Sequence, residues 1–392
     1  MFAKFFIPPR LRIHNEDRHA TWLELFFDLV LVAAIAQVGH LLVVAQSIHD
    51  GLVYAGLFVL VFWVWCGHTI YSTRFDSDDP VFRTFTFFNM FALIAMAVEV
   101  HNVAHGHGFA FGLAYLSSRL VLLGLLGRAF IHVPQARGFL KIYLVGFGLG
   151  ALAWGGSLLL GGVERYWIWL GILSIELAVP WYIWKTQHTG TQINVEHIPE
   201  RFGLFTIIVL GENIFAVVNG LENLTWNGHS IAVAVLSFVL AVTLWWRYFR
   251  LLDGHVIVNS AEQKQNLRSG QPYIYSHLPL LLGVVAIGIG IMRLISEIET
   301  FPITEATLTI LLAGYGLFEI GIALLQVINS PRYRSSRLFL IQKIMGTMLI
   351  ILFACFGKNL EAVVIITVLC SLPLLLLLYD VLLLPNKDQD SL

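Results

Sequence analysis

The chain has 392 residues, 57% of them hydrophobic and only 12% charged, with a formal net charge of -1. Roughly a quarter of the residues of a soluble domain are charged, so this composition excludes an ordinary water-soluble fold, and its near-neutrality gives no electrostatic footprint for nucleic acid. Three cysteines, Cys66, Cys355 and Cys370, lie inside apolar runs without CxxC or CxxH spacing, support neither a disulfide framework nor a zinc motif, and read as small core residues.

In chain order, the opening stretch MFAKFFIPPRLRIHNEDRHA is basic, and Pro8 and Pro9 interrupt it before a signal-peptide core can form. Residues 1–22 therefore read as a retained cytoplasmic arm. Apolar runs of about 20 residues follow to the end of the chain, each long enough to cross about 30 Å of hydrocarbon as a helix. Twelve spans are expected, at 23–46, 51–72, 83–102, 110–132, 139–160, 164–186, 200–220, 228–250, 273–295, 302–328, 336–356 and 360–384. The expected fold is an all-α polytopic membrane protein. With the N-terminus inside, nineteen of the 24 Lys and Arg residues fall in cytoplasmic segments, which places both termini in the cytoplasm. A polar linker at 187–199 divides the chain into a first six-helix repeat, 23–186, and a second, 200–384, followed by a tail at 385–392. An offset of 176 residues aligns Glu24 with Glu200, Phe26 with Phe202, Gln37 with Asn213 and Arg74 with Arg250. An even number of spans per half makes the two repeats parallel.

Polar residues inside the spans carry the chemical information. On the first helix Glu24 and Asp28, four apart, share a face, while Gln37 and His40 lie on a roughly opposite one. A charged side chain at mid-bilayer costs at least about 3 kcal/mol, so the first helix is expected to be central, enclosed by other helices or by a water-filled cavity. Glu24 at the rim is open to a capping role, and Asp28 to either an ion pair or a cation or proton site. RFDSDDP, with Arg74, Asp76, Asp78 and Asp79, follows the second span; its carboxylates suit a divalent cation, but Asp79 before Pro80 reads better as a helix cap. His101, His105 and His107 at the end of the third span are explained most cheaply as a glycine-softened loop. Tryptophans in FWVWCGH and LWWRYF fit helix packing and interfacial belts. Deeper in the spans, Glu176, Glu212 and Glu319 face two basic candidates, Arg119 and Lys343. With both bases paired, one carboxylate is left to be protonated, bind a cation or meet water. Soluble-enzyme signatures such as HExxH, GxSxG and the P-loop are absent, and no catalytic residue, metal ligand or cofactor is expected.

The segments RHATWLELFFDLVLVAAIAQVGHLL, RFDSDD, ERFGLFTIIVLGENIFAVV and YSHLPLLLGVVAIGIG together resemble the bacterial low temperature requirement A (LtrA) family, over nearly the whole chain. The resemblance implies a multi-pass bacterial plasma-membrane protein associated with growth in the cold. Its motifs fall on Glu24, Phe26, Phe27 and Asp28; on Arg74, Phe75, Asp76, Asp78 and Asp79; on Glu200, Arg201, Gly203, Gly211 and Glu212; and on His277 and Pro279. The chain departs from the family at WWRYFR, where Arg247 and Arg250 replace a more neutral or acidic continuation. A fold-level likeness to the lysosomal potassium channel family rests on Phe27 and Asp28 alone.

The leading expectation is a transporter or channel for a small cation or polar solute. Its route passes Glu24, Asp28, Gln37, Glu176, Glu212, Asn213 and Glu319, with Glu200, Arg201 and His277 at the cytoplasmic mouth. Its partners are the lipid bilayer, the transported species and, compatibly, a second copy of the chain. The alternatives are a membrane-embedded enzyme acting on lipid or an isoprenoid, and a non-transporting sensor or assembly factor for cold-stressed membranes.

Overall fold

A computed structural model describes residues 7–12, 20–76, 78–186, 197–222, 225–252, 270–298, 302–329 and 337–383. Most of the expected linker and the expected C-terminal tail lie outside the described residues, as does most of the second polar segment, before the ninth span. The described residues form twelve α-helices: α1 Trp22–His40, α2 Ile48–Arg74, α3 Pro80–Ala104, α4 Phe109–His132, α5 Arg137–Ser157, α6 Glu164–Thr186, α7 His197–Leu221, α8 Gly228–Leu252, α9 Gly270–Ser296, α10 Glu305–Asn329, α11 Arg337–Phe356 and α12 Ala362–Leu383. The first ten are long and apolar enough to cross a membrane. The protein is an all-α polytopic membrane protein, and large apolar side chains such as Phe88, Phe91, Val98, Leu149 and Leu152 stand exposed on its helices as lipid-facing groups do.

Local chemistry starts the helices where the chain requires it. Thr21 and Glu24 form a capping box on α1: the Glu24 carboxylate accepts the Thr21 N–H at 2.8 Å, and the Thr21 hydroxyl accepts the Glu24 N–H at 3.3 Å. Ser47 and Asp50 repeat the device on α2. Asp79 caps α3 by accepting the Phe82 N–H at 3.1 Å, with Pro80 in the first turn. Between α3 and α4, Gly106 takes φ 88°, the left-handed conformation the tight reversal needs, and the His105 ring bonds the His101 carbonyl at 2.7 Å.

The chain divides into two compact units, Met1–Phe205 with Ile257–Ile274, and Thr206–Val256 with Tyr275–Leu392. In the first unit α3 packs on α1 and α4, and α5 on α4 and α6. Its core includes Tyr71, Phe75, Phe82, Leu125, Phe139 and Tyr143. A two-stranded antiparallel pairing, β1 (Arg10–Leu11) with β2 (Phe75–Asp76), ties the N-terminal arm to the end of α2. In the second unit α8 packs on α12 and on α10, and α10 on α11; Gly314 lets α10 approach α9 so closely that a Cβ there would lie 2.9 Å from the Ile287 backbone nitrogen.

Two expectations are corrected. The first helix is not enclosed: α1 ends at His40 and buries Glu24, Phe27, Asp28, Leu31, Ala34, Ile35 and Val38, but Phe26, Leu29, Gln37 and His40 are exposed. Extending the span to residue 46 places Gln37 in mid-membrane, whereas it sits in the last turn, where a polar side chain reaches the interface. Of the ten spans, α2 and α9 are the most enclosed, with 72% and 83% of an apolar 18-residue stretch buried. Cys355 is exposed rather than core, while Cys66 and Cys370 are buried.

Candidate functional site

The polar centre of the first unit is built on Asp28. Periodicity puts Glu24 and Asp28 one above the other on the buried face of α1, and Asp28 is 0% exposed. Its Oδ1 accepts two donors at 2.7 Å each, the Arg201 Nη2 from the start of α7 and the Trp65 Nε1 from α2. Arg201 is itself buried, and its Nη1 lies 4.0 Å from Glu24 Oε2, so one guanidinium bridges both acids of α1. The pair is walled by aromatic rings: Trp65 stacks on Phe205 at 4.4 Å and meets Phe202 edge-on at 4.9 Å, with Phe62 beside both phenylalanines. Charge-assisted bonds are stronger in such low-dielectric surroundings than in water.

The centre is incompletely satisfied. Asp28 Oδ2 and the Nε and Nη1 of Arg201 are buried without hydrogen-bond partners. His68, one turn along α2 from Trp65, lies 4.6 Å from the Phe27 ring and within electrostatic range of Arg201 and Glu24. Its Nε2 is 3.2 Å from the Thr86 Oγ1, and that hydroxyl donates to the Phe82 carbonyl at 2.9 Å. A carbonyl only accepts, so the hydroxyl proton is committed to it and His68 Nε2–H must be the donor. Nδ1 is then a bare buried acceptor, and it has no partner. Buried polar atoms are normally paired with protein or water; here two acceptors, Asp28 Oδ2 and His68 Nδ1, and two donors, Arg201 Nε and Nη1, have no hydrogen-bond partner within the protein.

The remaining expected site residues fall into separate groups. Glu176 (α6) pairs with Arg119 (α4) at 3.0 Å and accepts the Tyr115 hydroxyl at 2.8 Å, within the first unit. In the second unit Glu319 (α10) pairs with Lys343 (α11) at 3.3 Å and with Arg247 (α8) through a bidentate contact. Glu212 (α7) is partly buried, with no ion pair or hydrogen bond among the described residues. Asn213 is buried with neither amide atom hydrogen-bonded, against Gly288 of α9, where no larger residue fits. His277 is buried and meets the Tyr248 hydroxyl at 2.9 Å. Glu200 accepts the Ala20 N–H at 3.3 Å. Within the first unit Asp28, Glu24 and Arg201 come together, Glu176 is paired with Arg119 and Gln37 faces outward; within the second, Glu319 is held by Arg247 and Lys343.

Arg201 and Arg247 correct the sequence reading most. Both read as cytoplasmic charges near span ends, but both are buried counter-ions, Arg201 of Asp28 and Arg247 of Glu319. Arg247 had a legible signal, a lone charge inside the apolar run TLWWRYF. Trp65 reads as a packing residue yet supplies a hydrogen bond to Asp28, and nothing in FWVWCGH distinguishes it from Trp63.

Comparison with known proteins adds a family and no mechanism. An uncharacterized protein of Rhizobium meliloti (strain 1021) is 29% identical over 299 residues, 71% of each chain. No solved structure matches. The family described as bacterial low temperature requirement A protein (LtrA) matches residues 19–379, which hold the Asp28 centre, the Glu176 and Glu319 pairs and Glu212. The chain belongs to the LtrA family.

Proposed function

We propose that this protein is a plasma-membrane transporter or channel for a small cation or polar solute, with both termini cytoplasmic and its helices arranged as two parallel six-helix repeats. The route runs beside α1 and α7. The observation that carries the reading is the Asp28–Arg201 pair: two opposite charges buried among aromatic rings, with Asp28 Oδ2, Arg201 Nε and Arg201 Nη1 making no hydrogen bond, and the His68 Nδ1 on the neighbouring helix likewise without one. Each open group in an apolar interior carries a desolvation cost, and the Asp28 centre with His68 holds four of them, against Arg119 Nε and Glu176 Oε1 at the other buried pair of the first unit. A small hydrated species or its water satisfies them transiently. Arg201 and Glu212 are about three turns apart and share one stripe of α7, so the same helix carries a second polar step, Glu212 with Asn213.

Flux through proteoliposomes, measured across a panel of alkali cations, protons and small polar solutes, tests this. Wild type is expected to pass at least one of them. Asp28→Asn alone, and Asp28→Asn with Arg201→Gln, are expected to lose it by about tenfold or more, the equivalent of one charge-assisted hydrogen bond. The double variant removes both charges together, so it avoids stranding either one, and its assembly is checked by gel filtration. Unchanged flux in the double variant, or no flux of any panel member in wild type, overturns the proposal. Turnover of a lipid or isoprenoid without flux would favour an embedded enzyme instead.

A further inference from the structure

The RFDSDD segment presents its acids as the obvious ligands for a cation, and the structure reverses that sign. Asp76 is held by Arg10 at 2.8 Å and by Arg12 at 3.7 Å, Asp78 by Arg83 at 2.9 Å, and Asp79 by Arg128 at 2.7 Å. Every carboxylate of the segment is engaged by an arginine, and the segment's own arginine is left over. Arg74 is 5% exposed, and no ion pair or hydrogen bond engages its side chain among the described residues. Its guanidinium carbon lies 5.2 Å from the centre of the Phe139 ring and 5.8 Å from that of Tyr143.

Aromatic faces offset part of the cost of burying a guanidinium, but they occupy its flat face and leave the in-plane N–H donors open. Arg74 Nε is buried without an acceptor. Two further buried donors beside it are equally unused, Arg12 Nε and the Tyr143 hydroxyl. Strand pairing brings Arg12 there: its backbone N–H donates to the Arg74 carbonyl at 3.1 Å, next to the Leu11–Phe75 register. Asp76, which Arg12 reaches at 3.7 Å, is already shared by two arginines. A donor set of two guanidinium nitrogens and one hydroxyl, carrying surplus positive charge, calls for an anion, and a planar guanidinium suits a tetrahedral oxyanion with paired oxygens.

We propose that Arg74, Arg12 and Tyr143 form a binding site for a phosphate-class oxyanion where the N-terminal arm meets the end of α2. A lipid headgroup and free phosphate share this chemistry. The test uses the full chain in detergent, titrated with inorganic phosphate against chloride at equal ionic strength and read by thermal unfolding and calorimetry. Wild type and the exposed-pair control Arg83→Gln are expected to bind and be stabilised. Tyr143→Phe, which keeps the ring and both arginines, is expected to bind more weakly, and Arg74→Gln about tenfold or more weakly through loss of charge-assisted hydrogen bonds. Native mass spectrometry after reconstitution in phosphatidylglycerol and phosphatidylcholine vesicles separates the sources: retained phosphatidylglycerol that phosphate displaces identifies a headgroup, and phosphate binding without retained lipid identifies the free ion. Equal binding by wild type and Tyr143→Phe, or binding of neither anion by wild type, overturns the proposal even if Arg74→Gln fails to fold.

Discussion

Arg119 and Glu176 meet at 3.0 Å with both side chains 1% exposed, and the Tyr115 hydroxyl bonds them both, accepting from Arg119 Nη2 at 2.5 Å and donating to Glu176. The Arg119 guanidinium also lies over the Tyr115 ring, 4.7 Å from its centre. Removing one member of such a pair strands the other in an apolar interior, which costs about 3–5 kcal/mol, whereas replacing both with apolar residues of similar volume is often neutral. Arg119→Met is therefore expected to lower the thermal unfolding midpoint in a fixed detergent, and Arg119→Met with Glu176→Leu to restore most of it. A double variant no more stable than the single one would show that the two side chains do not act as a unit. Both centres leave polar atoms without hydrogen-bond partners, Arg119 Nε and Glu176 Oε1 here and Asp28 Oδ2, Arg201 Nε and Arg201 Nη1 there; the Asp28 centre differs in placing a second acid, Glu24, within ion-pair reach of its arginine, and its double neutral variant is expected to fold and yet lose flux. Asp28 and Glu176 are alike in sequence, each an acid in an apolar helix, and only their neighbours separate them.

At the scale of elements, helix starts and helix contacts follow different rules. Caps are local: T-x-x-E at 21–24, S-x-x-D at 47–50 and D-P at 79–80 can be read from neighbouring residues, and each is seen at the start of its helix. Contacts between spans are not local. Membrane helices gain little from hydrophobicity against one another and associate by close packing, which small residues permit. On α10, Gly321 faces the backbone of α9, and a Cβ there would lie 2.5 Å from the Leu280 Cβ and 2.8 Å from its nitrogen. The obstructing atoms are backbone and Cβ and cannot rotate aside. Gly321→Ala is expected to force α10 away from α9 and destabilise the second unit by about 1–3 kcal/mol, the usual cost of overpacking. Gly346→Ala on α11 meets nothing within 4 Å and is the matched control. Equal unfolding midpoints for the two variants would remove the packing argument. The 176-residue offset belongs to this scale too: the helices it relates begin and end at similar positions, yet Phe26 is 51% exposed where Phe202 is 0%, and Gln37 is exposed where Asn213 is buried. Similar residues related by this offset thus lie in different surroundings.

For the molecule as a whole, the proposed topology with both ends of the chain in the cytoplasm rests on the strongly uneven distribution of Lys and Arg. The β1–β2 pairing and the Arg128 contacts to Asp79 and to the Ile7 carbonyl at 2.6 Å fasten the N-terminal arm to the same end of the first unit as the α2–α3 loop. Single cysteines introduced at residues 3 and 390 of a chain cleared of Cys66, Cys355 and Cys370 are expected to resist impermeant maleimide in intact cells and react after permeabilisation. Labelling of either position in intact cells would invert or break the twelve-span topology. Three of the arginines counted as cytoplasmic, Arg74, Arg201 and Arg247, are buried. Setting them aside leaves the charge asymmetry intact, so the orientation does not depend on them.

Composition and run length alone determine that this chain is a helical membrane protein, because a backbone in hydrocarbon must satisfy its own hydrogen bonds and helices do so one segment at a time; ten of the described helices are long and apolar enough to span. The same local physics makes the caps readable, as well as the need for each buried acid to find a partner. Which partner it finds is decided only by tertiary structure: Arg201 is 173 residues from Asp28, and Arg247 is 72 from Glu319. An ion pair depends on distance in space, and sequence separation carries no information about that distance once helices have crossed. For the same reason RFDSDD reads as an acidic motif, and becomes a positively charged one only when the folded arm and the neighbouring helices deliver their arginines to it.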